Sequence, residues 1–143
     1  MAVEPKRASL HPTETSEFGA LLDASALLAL LQNEPGADEV VQALPTGAIS
    51  AANLSETVAK LVQKGVPEKR ATSAVLSFDL DVLVVNETVA LAAGELAKQG
   101  KQLGLSLGDR ICLATGKLAG IPILTTDQRW LELPKSYRVN AIR

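Results

Sequence analysis

The sequence predicts an α/β fold in which a central, mainly parallel sheet is covered by helices on both faces. Short aliphatic runs alternate along the chain with amphipathic segments of helical spacing, an order typical of parallel sheets. Glycine and proline mark the breaks between these segments, as at Pro35-Gly36 and Gly65. The chain has 143 residues, of which 47% are hydrophobic, so one domain with a substantial core is expected.

Each element follows from its local pattern. The apolar run at 18–22 predicts a buried strand, and residues 24–33 and 37–44 predict two helices. A short strand at 47–50 precedes an amphipathic helix at 51–64, and Pro67 opens a helix at 67–78. The β-branched run at 81–85 predicts a third strand. The remaining predicted elements are helices at 87–102 and 106–118, a strand at 121–124, a short helix at 128–133 and an edge strand at 137–142.

Residues 1–17 are polar and contain two prolines, so we expect a flexible N-terminal extension before a single domain of residues 18–143. No signal peptide or membrane span is evident, which predicts a cytoplasmic protein. Cysteine and histidine occur once each, as Cys112 and His11, which excludes an internal disulfide and leaves little material for His/Cys metal sites or catalytic triads. Cys112 lies in an apolar helical pattern and is expected to be buried and inert. Any chemistry must therefore use carboxylates, hydroxyls, Lys or Arg.

Charge is distributed unevenly although the net charge is only −2. Residues 1–97 carry 6 Lys and Arg against 13 Asp and Glu, whereas residues 98–143 carry 8 against 3. A basic surface with embedded acids is suited to a polyanionic substrate, although an ordinary solvated surface is an equal alternative. Aromatic residues make up only 3% of the chain, which disfavours base stacking as a means of holding RNA.

Four carboxylates are candidates for one site. Asp23 directly follows the first predicted strand, and Asp127 follows the strand at 121–124. Glu56 and Asp109 lie early in helices. Ligands of parallel sheets bind at the carboxyl ends of the strands, where such side chains meet.

Each of these acids also has an ordinary structural explanation. Asp23 and Asp127 could be helix N-caps, and Ser106 with Asp109 has the spacing of a capping box. Glu56 could pair with Lys60 one turn later. The explanation is least satisfactory for Asp23, which lies in an apolar run without a neighbouring cation. A hard divalent cation such as Mg²⁺ or Mn²⁺ would compensate its charge, since such ions prefer oxygen ligands.

Four segments together resemble VapC-type PIN-domain toxins in order and spacing. They are LLDASALL at 21–28, SAANLSE at 50–56, LSLGDR at 105–110 and ILTTD at 123–127. The resemblance covers residues 18–142 and departs from the family pattern in the N-terminal extension.

The resemblance implies a three-layer α/β/α PIN-like fold and Mg²⁺- or Mn²⁺-dependent cleavage of RNA by the toxin of a toxin–antitoxin pair. It also implies a cognate antitoxin protein as partner, and a homodimer. Asp23, Glu56, Asp109 and Asp127 become the catalytic and metal-binding quartet, with Ser25 and Thr125 as supporting hydroxyls. Arg110 and Arg129 are candidates for substrate phosphate contacts. The helices at 24–31, 37–44 and 67–78 are aliphatic enough to form a groove for an antitoxin helix, or they only cover the sheet.

Two other functions are alternatives to the ribonuclease. A non-catalytic PIN-like module that binds RNA or protein would have no need of four acids. A phosphoacceptor signalling domain would need a second acid beside Asp23 and a lysine after a late strand, and residues 121–126 contain none.

Overall fold

The computed structural model describes residues 18–143, and within them the chain forms five strands and seven α-helices. The predicted extension at 1–17, including His11, lies outside the described residues. The strands are β1 (Ala20–Leu22), β2 (Gly47–Ser50), β3 (Asp81–Leu83), β4 (Ile123–Thr125) and β5 (Val139–Ala141). They form one sheet in the order β3-β2-β1-β4-β5, and every pairing is parallel.

The helices connect consecutive strands and cover the sheet. They are α1 (Ala24–Leu31), α2 (Ala37–Ala43), α3 (Ala51–Gln63), α4 (Glu68–Leu76), α5 (Glu87–Glu95), α6 (Ala97–Leu103) and α7 (Leu107–Ala119). No helix within residues 18–143 is both long and apolar enough to cross a membrane.

Alternation along the strands divides the core into two layers. Leu22, Ile49 and Leu124 pack in one cluster, which includes side chains from α1 to α4. Leu21 and Ile123 pack in a second cluster with α7 and Trp130 on the opposite face. Successive side chains of a strand point to opposite faces, so a strand that is apolar throughout is covered on both. The predicted three-layer α/β/α fold with a parallel sheet is confirmed.

One helix prediction was wrong, because residues 87–102 form two helices instead of one. The break falls at Leu96, which is buried in the core cluster on the α7 face. Gly94 weakens the last turn of α5, and turning the chain at Leu96 lets this side chain reach the core. The short helix predicted at 128–133 is a 3₁₀ helix, Gln128–Glu132.

Candidate functional site

The topology brings two of the four predicted acids to one edge of the sheet. Strands β1 and β4 are parallel neighbours, and β1 is the central strand. Asp23 follows β1, and Asp127 follows β4 after Thr126. Their loops therefore leave the sheet side by side, as the parallel arrangement predicts.

Within residues 18–143, Asp23 is a buried carboxylate held only by neutral donors. Its side chain is 3% exposed. Oδ1 accepts hydrogen bonds from the backbone N–H of Ala26 at 2.8 Å and from Ser25 Oγ at 2.7 Å. Oδ2 accepts a hydrogen bond from Thr125 Oγ1 at 2.7 Å. The bond from Ala26 is the predicted N-cap of α1. Asp23 therefore caps this helix and also lies in the candidate site.

The two hydroxyls also connect the loops after β1 and β4. Ser25 Oγ accepts a hydrogen bond from the backbone N–H of Thr126 at 3.0 Å. Thr125 Oγ1 accepts one from the backbone N–H of Asp127 at 3.1 Å. Both hydroxyls donate to Asp23, and both accept from the backbone that follows β4, so the orientation of Asp23 and the position of Asp127 are coupled.

Burial raises the pKa of Asp23 from 3.8 to about 6. The hydrogen bonds from Ser25, Ala26 and Thr125 oppose this shift, and the negative charge of Asp109 adds to it. The site thus holds a desolvated carboxyl group whose charged form has no cationic partner among the described residues.

Asp127, in contrast, has a cationic partner. Arg129 donates from Nε to Asp127 Oδ1 at 3.0 Å and from Nη2 to Oδ2 at 2.6 Å, and its backbone N–H also donates to Oδ1. These contacts, chiefly the hydrogen bond from the arginine side chain, lower the pKa of Asp127. The guanidinium is exposed and also feels the charge of Asp109, so it stands at the mouth of the site.

Asp109 forms the predicted capping box at the start of α7. Ser106 Oγ accepts a hydrogen bond from the backbone N–H of Asp109 at 3.1 Å, and Asp109 Oδ2 accepts one from the backbone N–H of Ser106 at 2.9 Å. This capping bond occupies one carboxylate oxygen and fixes the side chain at the rim of the site.

Glu56 is held by Asn53 and is not paired with Lys60 in the described part of the chain. Asn53 Nδ2 donates to Glu56 Oε1 at 2.6 Å, within the same helix. The Glu56 carboxylate also lies against Gly108, the residue before Asp109. This carboxylate is thereby placed beside the first turn of α7.

A cavity of about 600 Å³ opens at this edge of the sheet. Three of the predicted acids line it, and Glu56 does not. The charges of Asp23, Asp109 and Glu56 nevertheless act together on the buried thiol of Cys112, whose pKa is raised mainly by burial and further by these three. The residues that line the cavity are Asp23, Ser25, Asp109, Thr126, Asp127, Gln128, Arg129, Trp130 and Arg143.

Comparison with known proteins identifies the family. A family model described as the PIN domain matches residues 20–136. The chain belongs to the PIN domain family. No curated protein matches it.

Solved structures share the fold of this PIN domain at low sequence identity. A chain of a toxin–antitoxin complex from Klebsiella pneumoniae has 21% identity and a TM-score of 0.66, with 87% of this chain and 98% of that chain covered. A chain of DNA-bound VapBC from Salmonella typhimurium has 18% identity and a TM-score of 0.67, with 86% and 97% covered. A chain of VapBC-1 from nontypeable Haemophilus influenzae has 21% identity and a TM-score of 0.62, with 86% and 97% covered.

The donor set of this PIN domain fits a hard divalent cation in chemistry. All candidate ligands are carboxylate oxygens, and no side chain in the described part of the protein compensates the charge of the buried Asp23. Across residues 18–143, however, no three Asp, Glu, His or Cys side chains lie close enough together to hold a metal ion in their present conformations. Asp109, Asp127 and Glu56 each have a local hydrogen-bond partner in the described structure.

Arg110 is not among the residues that line the cavity. Its Nη1 donates to the carbonyl of Ala93 at 2.9 Å, and its aliphatic part lies against Gly100. The contact ties α7 to α5, and a phosphate contact by Arg110 stays a prediction. Arg129, the other predicted phosphate-binding residue, does line the cavity.

Sequence reasoning missed Asn53, Gln128, Trp130 and Arg143. Asn53 had a signal, since it is a polar residue one helical turn before Glu56. Gln128 and Trp130 lie directly after Asp127 along the chain. Arg143 had none, because the β4–β5 pairing brings it to the cavity from the far end of the sequence.

Proposed function

We propose that this PIN domain is a divalent-metal-dependent endoribonuclease, the toxin of a toxin–antitoxin pair, acting in the cytoplasm. The proposal depends mainly on one observation: the buried Asp23 lies at the end of the central strand, in one cavity with Asp109 and Asp127. Members of this family are typically nucleases, which supports phosphodiester hydrolysis. The basic C-terminal part of the chain supports a polyanionic substrate.

The side chains divide the work as follows. Asp23, Asp109, Asp127 and Glu56 would hold Mg²⁺ or Mn²⁺, which supplies a water of lowered pKa and neutralises charge on a phosphoryl oxygen. Ser25 and Thr125 fix the orientation of Asp23 through their hydrogen bonds. Arg129, exposed at the cavity, would bind a phosphate oxygen of the RNA.

Cleavage of a structured RNA by the purified protein tests this function. Wild type should cut RNA with Mg²⁺ or Mn²⁺ and stop on chelation, and Asp23→Asn should lower kcat by about 100-fold or more. The matched control is Asp38→Asn, an exposed acid in α2, which should cleave like wild type. Wild-type rates in the Asp23→Asn variant, with Mg²⁺ present, would refute the site assignment.

A second candidate is a non-catalytic PIN-like module that binds RNA or protein. It is favoured by the local partners that Glu56, Asp109 and Asp127 already have. A Mn²⁺ titration discriminates between the two. Stoichiometric Mn²⁺ binding that is lost in the Glu56→Gln/Asp109→Asn double variant supports the enzyme, and its absence from wild type supports the module.

We further propose an antitoxin protein as partner and a homodimer as the assembly. Structures of toxin–antitoxin complexes share this fold, which supports the first. Several apolar side chains of α1, α2 and the segment after α4 are only partly buried, among them Leu28, Val41 and Phe78. This apolar surface supports an antitoxin-binding role for these helices, in addition to covering the sheet.

A further inference from the structure

We propose that Asn53 and Gly108 are positioning residues that fix the Glu56 carboxylate against the first turn of α7, beside Asp109. The inference rests on the proposed function, because it assigns Glu56 a defined place at that site. Three features carry it: the hydrogen bonds of a buried amide, the absence of a side chain at residue 108, and the packing of α3 on α7.

The Asn53 side chain is 1% exposed, and every bond it makes has a defined direction. Nδ2 donates to Glu56 Oε1 at 2.6 Å and to the carbonyl of Gly108 at 3.3 Å. Oδ1 accepts a hydrogen bond from Ser50 Oγ at 3.0 Å. Reversing the amide would place Oδ1 against the Glu56 carboxylate and the Gly108 carbonyl, so the network selects one orientation.

Gly108 provides the space that the carboxylate occupies. A Cβ atom built at this residue would collide with Oε1, Cδ and Oε2 of Glu56. The colliding atoms are the end of a flexible side chain, so alanine at 108 would displace the carboxylate without forcing the backbone to move. Glycine is therefore required here for the position of Glu56 and not for a special backbone angle.

The network also links two acids from different helices, Glu56 of α3 and Asp109 of α7. Asn53 belongs to the first turn of α3, and the carbonyl it binds belongs to the residue before Asp109. Asp109 is fixed in turn by its capping box with Ser106. The distance between Glu56 and Asp109 is thus set by side-chain hydrogen bonds at the contact between α3 and α7.

The decisive variant is Gly108→Ala, with Gly94→Ala as its matched control. Gly94 is also helical, but a Cβ there would meet no atom of the described residues within 4 Å. Gly108→Ala should weaken Mn²⁺ binding and lower kcat for RNA cleavage by about 10- to 100-fold, the usual cost of losing the partner of a metal-site carboxylate. KM and the unfolding midpoint should change little. In a Glu56→Gln background, Gly108→Ala should have no further effect.

A second measurement does not depend on metal or RNA. The side-chain amide protons of Asn53 should exchange slowly in wild type and in Gly94→Ala, because one is bonded to Glu56 and the amide is buried. Exchange should be faster in Gly108→Ala and in Glu56→Gln. Equal exchange in wild type and Gly108→Ala would overturn the proposal.

Asn53→Asp is the complementary variant, since it keeps the shape of the side chain but replaces the donor with a like charge beside Glu56. It should lower kcat as Gly108→Ala does. If both variants keep wild-type cleavage and Mn²⁺ affinity while Glu56→Gln loses them, the inference fails and the proposed function stands. If Glu56→Gln has no effect, Glu56 has no role to support and the inference fails. The proposed function is then judged by Asp23→Asn alone.

Discussion

Asp23 shows how one residue serves folding and the site at once. Its side chain caps α1 and accepts hydrogen bonds from the hydroxyls of Ser25 in α1 and Thr125 in β4, which favours the native arrangement. Its charge is nevertheless desolvated, which opposes folding when no cation is present. A residue in this position costs stability in the metal-free protein, and a bound cation would recover it.

Asp23→Asn is expected to stabilise the metal-free protein at about pH 8 by about 1–3 kcal/mol. The folded-state pKa is about 6 and the unfolded value 3.8, so the folded state binds the proton more tightly. Wild-type stability therefore falls as pH rises through this interval, and the advantage of the variant disappears toward about pH 4. Urea unfolding in EDTA at about pH 8 and about pH 4 measures the difference in the free energy of unfolding between the variant and wild type. An advantage of the same size at both, or one shared by Asp38→Asn, would contradict the assignment.

At the scale of elements, α7 is the helix whose contacts fix the positions of two of the acids. Its N-terminus provides Asp109 and the space for Glu56, and its middle packs on the sheet at Gly116, where a Cβ would collide with Ile123. Ser106 begins the helix at a defined residue by accepting from Asp109. The start of α7 therefore sets where Asp109 stands relative to the strand ends.

Ser106→Ala should lower the free energy of unfolding by about 1 kcal/mol, because an N-terminal donor of α7 loses its acceptor. Ser73→Ala is the control, since Ser73 is exposed within α4, whose N-terminus is at Pro67. Urea unfolding of both variants measures the difference. Equal stability of Ser106→Ala and Ser73→Ala would show that the cap contributes nothing.

At the scale of the whole molecule, the parallel sheet gathers charges that the chain separates widely. Asp23 and Asp127 are 104 positions apart in the sequence, yet the β1–β4 pairing places their loops together. Placing acids at one sheet edge concentrates negative charge that a divalent cation can relieve. Stability should therefore depend on the cation and not on ionic strength alone.

Millimolar Mg²⁺ should raise the unfolding midpoint of wild type by roughly 5 °C, through preferential binding to the folded state. NaCl at matched ionic strength should not reproduce this rise. The Asp23→Asn/Asp109→Asn variant should show no response, whereas Asp38→Asn/Glu39→Gln, in exposed positions of α2, should respond like wild type. A Mg²⁺ response in the first variant would place the cation elsewhere.

Local patterns in the sequence determined the element types, the parallel sheet and the strand-end positions of Asp23 and Asp127. The element types depend on periodicity, which acts over short stretches, and the meeting of the strand ends follows from the general topology of parallel sheets. Capping at Ser106 was also visible, because its spacing is local. The resemblance of four sequence segments predicted the PIN family, and the family match confirms it.

Tertiary structure alone decided the contacts between elements that lie far apart in the sequence. The helix break at Leu96 depends on where the core lies, and the place of Glu56 depends on Gly108, which is 52 positions away. The same is true of Arg110, which donates to Ala93 in α5. Such contacts arise from the packing of distant elements, and no local pattern encodes them.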